Sequence, residues 1–249
     1  MKLYSGPLSL FTAKVRIALD EKGLDYERIE VGWSLANRYE PHHSEVAALN
    51  PKEQVPVLVD GDVVVYDSTL ILEYLEERFP EPALYPSGLA QRARCRQLEA
   101  AADEIVFPAV WELIDGGFYP ARPGDTEAAQ RSAAAKRRLA ELQQELDKQL
   151  TGREYLCERF SVADIGTFVM LSTASTLDAP PAAACTRSTP GWRAWRRGRR
   201  CDASWRRWAP PRPPRGRACR NAHPTAPPAN QAAARPCRFS RAWGSTPRC

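Results

Sequence analysis

From Asp178 to Cys249 the chain holds no leucine, isoleucine, valine or methionine. Such a segment cannot bury enough aliphatic surface to offset its ordering entropy. Any folded core must therefore come from residues 1–177, and residues 178–249 are expected to be disordered. The same 72 residues carry 12 of the 22 prolines, 5 of the 7 tryptophans and 16 arginines without one lysine, a net charge of +14. Residues 1–177 have a net charge of −9, so the overall +5 sums two unlike pieces.

A basic arm with tryptophans could in principle stack on bases and neutralise phosphates. Its complete lack of lysine argues against nucleic acid as a partner. The genetic code offers another account. Tryptophan has one codon, TGG; read one nucleotide earlier, each becomes NTG, which encodes Leu, Met or Val, and a following CGN arginine codon becomes GCG, alanine. Trp192, Trp195, Trp205 and Trp208 would then be aliphatic positions at spacings that suit one face of helices. The tail is thus expected to result from a reading-frame change near residues 179–190. Sequencing the source gene checks this: an unbroken frame, with the tail seen by mass spectrometry of the native protein, overturns it. The tail cysteines Cys185, Cys201, Cys219, Cys237 and Cys249 lack zinc-ligand spacing, so no metal is expected there.

Within residues 1–177, Lys2 to Ser5 reads as a strand. Thr12 to Lys22 reads as a helix with Val15, Ala18 and Leu19 on one face and Gly23 ending it. Tyr26 to Val31 is a second strand, and strand–helix–strand implies a parallel pair with a crossover. Val57 to Val59 and Val63 to Tyr66 are β-branched and aromatic runs, and Asp60-Gly61 between them supplies a hairpin turn. Pro56 belongs at a strand entrance, and Val55–Pro56 is a candidate cis peptide that would turn the Val55 backbone toward an extended peptide ligand. Asp67-Ser68 opens a helix over Thr69 to Phe79, with Ser68 as its N-cap; that terminus suits a ligand carrying both an amine and a carboxylate. The order βαβ then ββα is thioredoxin-like. Gly6 to Phe11 leads into the first helix and forms an anion site, with Ser9 just ahead of it and Ser5 as the rival hydroxyl.

Pro80-Glu81-Pro82 and Tyr85-Pro86-Ser87-Gly88 mark a linker, and the chain beyond it, up to residue 177, reads as all helix. Leu89 to Asp115 is expected to kink at Pro108 and stop at Gly116-Gly117. Thr126 to Leu150 carries a core stripe of Leu139, Leu142, Leu146 and Leu150. Phe160-Ser161-Val162-Ala163-Asp164-Ile165 combines a capping box, Ser161 with Asp164, and a hydrophobic staple, Phe160 with Ile165. Four segments result: an α/β thioredoxin-like domain over 1–80, a linker over 81–86, an all-α helical domain over 87–177, and the tail over 178–249. The segment 32–49 is expected to be irregular, and its His42 and His43 do not make a metal pair. No signal peptide or membrane span is visible, and the only cysteines before residue 178, Cys95 and Cys157, fit a reducing compartment. A cytoplasmic location is expected.

Gln54-Val55-Pro56 followed about a dozen residues later by Asp67-Ser68, the Ser9 loop, and the Phe160 to Ile165 run together resemble the glutathione S-transferase superfamily, in its serine-type bacterial form. The resemblance spans about residues 1–181. It implies glutathione as co-substrate, no metal, conjugation to a small hydrophobic electrophile in detoxification, and a homodimer. It also implies site roles. Ser9 stabilises the glutathione thiolate; Gln54, Asp67 and Ser68 hold the γ-glutamyl end; Val55, ahead of Pro56, pairs with the cysteinyl backbone; His42 and Lys52 are candidates for the glycine carboxylate. The electrophile is placed near Trp111, Phe118 and Tyr119. Lowering a thiol pKa of about 8.5 by two units takes about 2.7 kcal/mol. One charge-assisted hydrogen bond, at roughly 1.5–3 kcal/mol, is large enough. A glutathione-dependent isomerase or dehalogenase, or a non-catalytic binding module, would share the same fold.

Overall fold

Leu3 and Tyr4 are neighbours in the first strand, and the pleat sends them to opposite faces of one sheet. Leu3 packs with Leu58, Val15, Leu19 and Leu72 in the main core, while Tyr4 packs with Val57, Val31 and Val46 on the other side. The structure, a computed structural model, describes residues 1–34, 43–118 and 125–179. His42, Tyr119 and the tail from residue 180 onward therefore lie outside the described residues, as does the side chain of Phe118.

Strand β1 (Lys2–Ser5) pairs in parallel with β2 (Glu27–Glu30) and antiparallel with β3 (Val57–Asp60), which pairs with β4 (Val63–Tyr66). The sheet order is β2-β1-β3-β4, with helices α1 (Leu10–Glu21) and α3 (Ser68–Arg78) contributing to the main core. This is the expected thioredoxin-like arrangement. Local boundaries moved. The hairpin turn is Gly61-Asp62, not Asp60-Gly61, because Asp60 still pairs with Val63 and only Gly61 takes a positive φ, +59°. Glycine at the first turn position is what a two-residue loop of that form requires. A short helix α2 (Ser44–Leu49) interrupts the segment expected to be irregular, burying Val46.

The helical half comprises α4 (Leu89–Ala101), α5 (Phe107–Phe118), α6 (Thr126–Gln149) and α7 (Val162–Thr176). Between α4 and α5 lies one π-helical turn, Ala102–Val106, in which the Phe107 N–H reaches back to the Ala102 carbonyl. The irregularity expected at Pro108 thus falls just before it. Proline has no N–H for the Glu104 carbonyl and its ring crowds that oxygen, and a widened turn accommodates both. Gly116 and Gly117 do not stop the helix, which runs on to Phe118. Helix propensity is a weak term that packing overrides, and a Cβ at Gly117 would meet Leu177 at 3.7 Å.

Helix α7 is the centre of this half: Val162, Ile165, Val169 and Met170 are wholly buried, and it packs on both α4 and α1. Its capping box is present. Asp164 Oδ2 accepts from the Ser161 N–H at 3.0 Å and from its hydroxyl at 2.9 Å, while Oδ1 accepts from the Leu156 N–H at 2.9 Å. The expected linker is also held. Lys22 Nζ donates to Glu76 at 2.8 Å and to the carbonyls of Phe79 and Pro82 at 2.7 and 3.0 Å. Glu76 in turn accepts the Leu84 and Tyr85 N–H groups. The sheet half and the helical half consequently share one hydrophobic core.

Candidate functional site

The loop before β3 is shaped by Asn50, which is 1% exposed. Its Nδ2 donates to the Gln54 carbonyl at 2.8 Å, its Oδ1 accepts from the Lys52 N–H at 2.9 Å, and its own carbonyl accepts from the Glu53 N–H at 2.8 Å. These bonds curl residues 50–54 into a turn, with Glu53 at a φ of 55°. The Val55–Pro56 peptide is cis, as the sequence suggested. Among the described residues the Val55 N–H and C=O have no hydrogen-bond partner. An extended backbone can pair with them.

Beyond the hairpin, the cap of α3 is Asp67, not Ser68, which is already the first helical residue. Asp67 adopts φ 69° and ψ 125°, a strained setting for a residue with a Cβ. Its carboxylate does not cap the helix; it meets Lys52 Nζ at 2.6 Å. The α3 N-terminus therefore keeps unsatisfied N–H groups, a setting that attracts anionic groups.

Gln54, Val55, Pro56, Asp67 and Ser68 line a single cleft of about 450 Å³. Lys52 stands beside it through Asp67 and is not part of the lining. Sequence reasoning missed the rest of the wall: Asn50, Thr69 and Leu70 next to the recognised motif, Phe11 from α1, and Ala100, Asp103 and Glu104 from the end of α4 and the π turn. The two acidic residues just ahead of Pro108 were a usable signal, since π turns recur at functional sites.

A buried ion network holds the far wall in place. Lys14, 0% exposed, places Nζ 2.6 Å from both Glu99 Oε1 and Asp103 Oδ2. Thr69 Oγ1 donates to Glu99, 3.0 Å from Oε2. Burial pushes the Asp103 carboxyl above its usual range, against the pull of Lys14. Phe11 stacks edge-on against Phe107 with centroids 4.9 Å apart, and Phe107 meets Trp111 at 5.9 Å. Trp111, 41% exposed, thus continues an aromatic surface from the cleft.

Ser9 is the N-cap of α1: its Oγ accepts from the Thr12 N–H at 3.1 Å. It does not appear in the cleft lining, where Phe11 does. Capping uses an oxygen lone pair and leaves the hydroxyl proton free to donate. The rival Ser5 is buried within β1. His43 lies edge-on to Tyr4 at 5.8 Å, and no group of three metal-ligating side chains occurs among the described residues.

A thioredoxin-like sheet, a loop turned at the cis Val55–Pro56 peptide before β3 and an open helix N-terminus beside it together frame the cleft. Residues 3–83 match the family model for the glutathione S-transferase N-terminal domain. Residues 3–83 thus belong to that domain family, and the chain as a whole is similar to glutathione S-transferases in sequence and fold. It is 46% identical over 99 residues to a stringent starvation protein A homolog of Coxiella burnetii, covering 39% of this chain and 44% of that protein. Over 93 residues it is 47% identical to glutathione S-transferase Z1 of Arabidopsis thaliana, covering 37% and 41%. Over 109 residues it is 44% identical to the maleylacetoacetate isomerase of Pseudomonas aeruginosa, covering 43% and 51%. The chain thus spans about half the length, or less, of these relatives. Among solved structures, a glutathione S-transferase from Rhodospirillum rubrum F11 superposes with a TM-score of 0.68 at 29% identity, covering 86% of this chain and 96% of that one.

Proposed function

We propose that this protein binds glutathione extended along the loop before β3 and conjugates its thiolate to a small hydrophobic electrophile. The observation that carries the reading is the convergence of Gln54, Val55, Pro56, Asp67 and Ser68 on one cleft. Val55 pairs with the cysteinyl backbone, the α3 N-terminus with Ser68 receives the γ-glutamyl carboxylate, and Asp67 faces its ammonium. Asp67 already pairs with Lys52, so the ammonium shares that carboxylate rather than finding it bare. The Ser9 hydroxyl donates to the thiolate, and the Phe11, Phe107 and Trp111 surface receives the electrophile. In this reading residues 1–80 bind glutathione and residues 87–177 supply the second pocket. We also propose a cytoplasmic homodimer; no helix among the described residues is long and apolar enough to cross a membrane.

Asp67→Ala is expected to weaken glutathione binding by about 1–3 kcal/mol, because it leaves the ligand ammonium unpaired. Titration calorimetry reads this directly, and equal affinities for variant and parent sink the assignment. Ser9→Ala is expected to lower kcat/KM for a thiol-addition substrate by roughly 10- to 150-fold, the rate equivalent of one charge-assisted bond. It should also cost about 1 kcal/mol of stability through the lost helix cap. A drop in stability with unchanged kcat/KM assigns Ser9 to capping alone.

A second reading has its own support: the 44% identity to a maleylacetoacetate isomerase. In an isomerase the thiolate adds to the substrate and is later expelled, so glutathione is regenerated. In conjugation it is consumed one for one. Measuring free thiol against product separates the two, and glutathione binding with neither outcome points to a binding module.

A further inference from the structure

Three carboxylates line the cleft, and among the described residues no lysine, arginine or histidine does. Asp67 stands on the near side, where Lys52 pairs with it. Asp103 and Glu104 stand on the far side, carried there together by the π turn between α4 and α5. The wall they form is not neutral. A single ammonium, that of Lys14, serves both Glu99 and Asp103, so the three groups together keep a formal negative charge. Asp103 Oδ1 is buried without a hydrogen-bond partner among the described residues. Glu104 is exposed, makes no ion pair among the described residues, and adds a further negative charge to the same wall.

The same wall is aromatic. Phe11 lines the cleft and stacks on Phe107, three positions beyond Glu104, and Phe107 leads on to Trp111. The rings offer apolar area to any flat group and discriminate little between them. The acidic wall does discriminate. A cleft of about 450 Å³ keeps every substituent within about one Debye length of its lining, so salt screens the wall only in part. A carboxylate placed there meets like charge, and it has no proton to offer Asp103 Oδ1. An uncharged or cationic substituent avoids that repulsion. Selectivity of this kind comes from a repulsive element against the wrong ligand rather than from an added contact to the right one.

We infer that Glu104 sets the charge specificity of the second pocket: the protein takes uncharged or cationic aromatic electrophiles and discriminates against those that carry a carboxylate. The inference rests on the proposed function, which seats the electrophile on the Phe11, Phe107 and Trp111 surface beside bound glutathione. Asp103 is tied into the buried ion network and serves the fold as well as the cleft, whereas Glu104 has no such second role. One like charge across the cleft, in a setting between protein and water, corresponds to roughly a 3- to 10-fold difference in affinity.

Two product analogues that differ in one group read this without turnover: S-(para-carbamoylbenzyl)glutathione, uncharged on its ring, and S-(para-carboxybenzyl)glutathione, anionic there. Titration calorimetry on the full-length chain should show the carbamoyl conjugate binding about 3- to 10-fold tighter than the carboxy conjugate. Glu104→Gln should bring the ratio of the two close to one, and Glu104→Arg should turn it in favour of the carboxy conjugate. Glu158→Gln, an exposed acid on the loop before α7 and outside the cleft lining, should keep the wild-type ratio. Equal binding of the two conjugates by the wild type overturns the inference, and that comparison depends on no variant folding. A ratio that Glu104→Gln leaves as it was, or that Glu158→Gln shifts as far, overturns it too. Glutathione itself binding while the conjugates bind equally leaves the proposed function standing; glutathione failing to bind overturns that function and this inference with it.

Discussion

Lys14→Met is expected to lower the free energy of unfolding by about 3–5 kcal/mol, the cost of breaking a buried ion network from one side. The ammonium is fully buried between Glu99 and Asp103 at 2.6 Å each, and Glu99 is itself almost wholly buried. Without Lys14 the two carboxylates face each other, Glu99 buried and Asp103 at the edge of the cleft, with Thr69 still donating to Glu99. Against a typical total of 5–15 kcal/mol, that is a large loss. The pH dependence has a definite sign. The Asp103 carboxyl already lies above its usual range through burial, and Lys14 is what pulls it down. Removing the lysine leaves only the upward push, so the folded variant keeps its proton to higher pH than the unfolded chain does. Stability is then greatest at low pH and falls as pH rises. Urea unfolding at pH 5 and pH 8 should show the larger deficit at pH 8. Equal deficits, or a loss below about 1 kcal/mol, contradict the account. The triple change Lys14→Met, Glu99→Gln, Asp103→Asn should recover much of the loss, because it removes the buried charges together. Asp103 and Thr69 also line the cleft, so on the proposed function Lys14→Met should weaken glutathione binding as well.

Asp164→Ala is expected to cost a similar 3–5 kcal/mol, by a different route. The carboxylate accepts from the Leu156 N–H, the Ser161 N–H and the Ser161 hydroxyl, and the residue is wholly buried. The hydroxyl can rotate to another acceptor; the two backbone N–H groups cannot, and each buried donor left alone costs about 1–3 kcal/mol. Loss of the reciprocal cap at the start of α7 adds to this. Asp164→Asn keeps one acceptor oxygen and should lose roughly half as much. Burial pushes this carboxyl up to about 6 from 3.8, with the hydrogen bonds opposing. Because the folded value lies above the unfolded one, the contribution is fully present below about pH 4 and is lost as pH rises through about 6. Asp164→Asn should abolish that slope. Denaturant midpoints measured across pH 4–7 decide the matter, and an unchanged slope in Asp164→Asn rules out this assignment.

Local signals were legible in the sequence because their physics is short-range. The Val-rich runs on either side of Gly61, the Pro56 strand entrance and the Ser161 to Asp164 spacing each act within a few residues, and each element appeared within one or two positions of its expected place. The open end of α3 has a non-local cause: Asp67 holds the cap position, but its carboxylate is engaged by Lys52, fifteen residues earlier. Gly116-Gly117 read as a stop but stayed helical because α5 packs on α6 and α7.

The near side of the cleft could be named from residues 54–68, since one contiguous stretch carries it. Its far side could not. Lys14 in an amphipathic helix reads as solvated surface, and only the fold brings to it a carboxylate 85 positions away. The sequence by itself determined most of the elements, their βαβ then ββα succession and the contiguous stretch from Gln54 to Ser68, through periodicity, turn chemistry and capping. Tertiary structure alone decided which charges are buried and what forms the far side of the cleft, because those energies depend on water being excluded between segments that the chain separates by many residues.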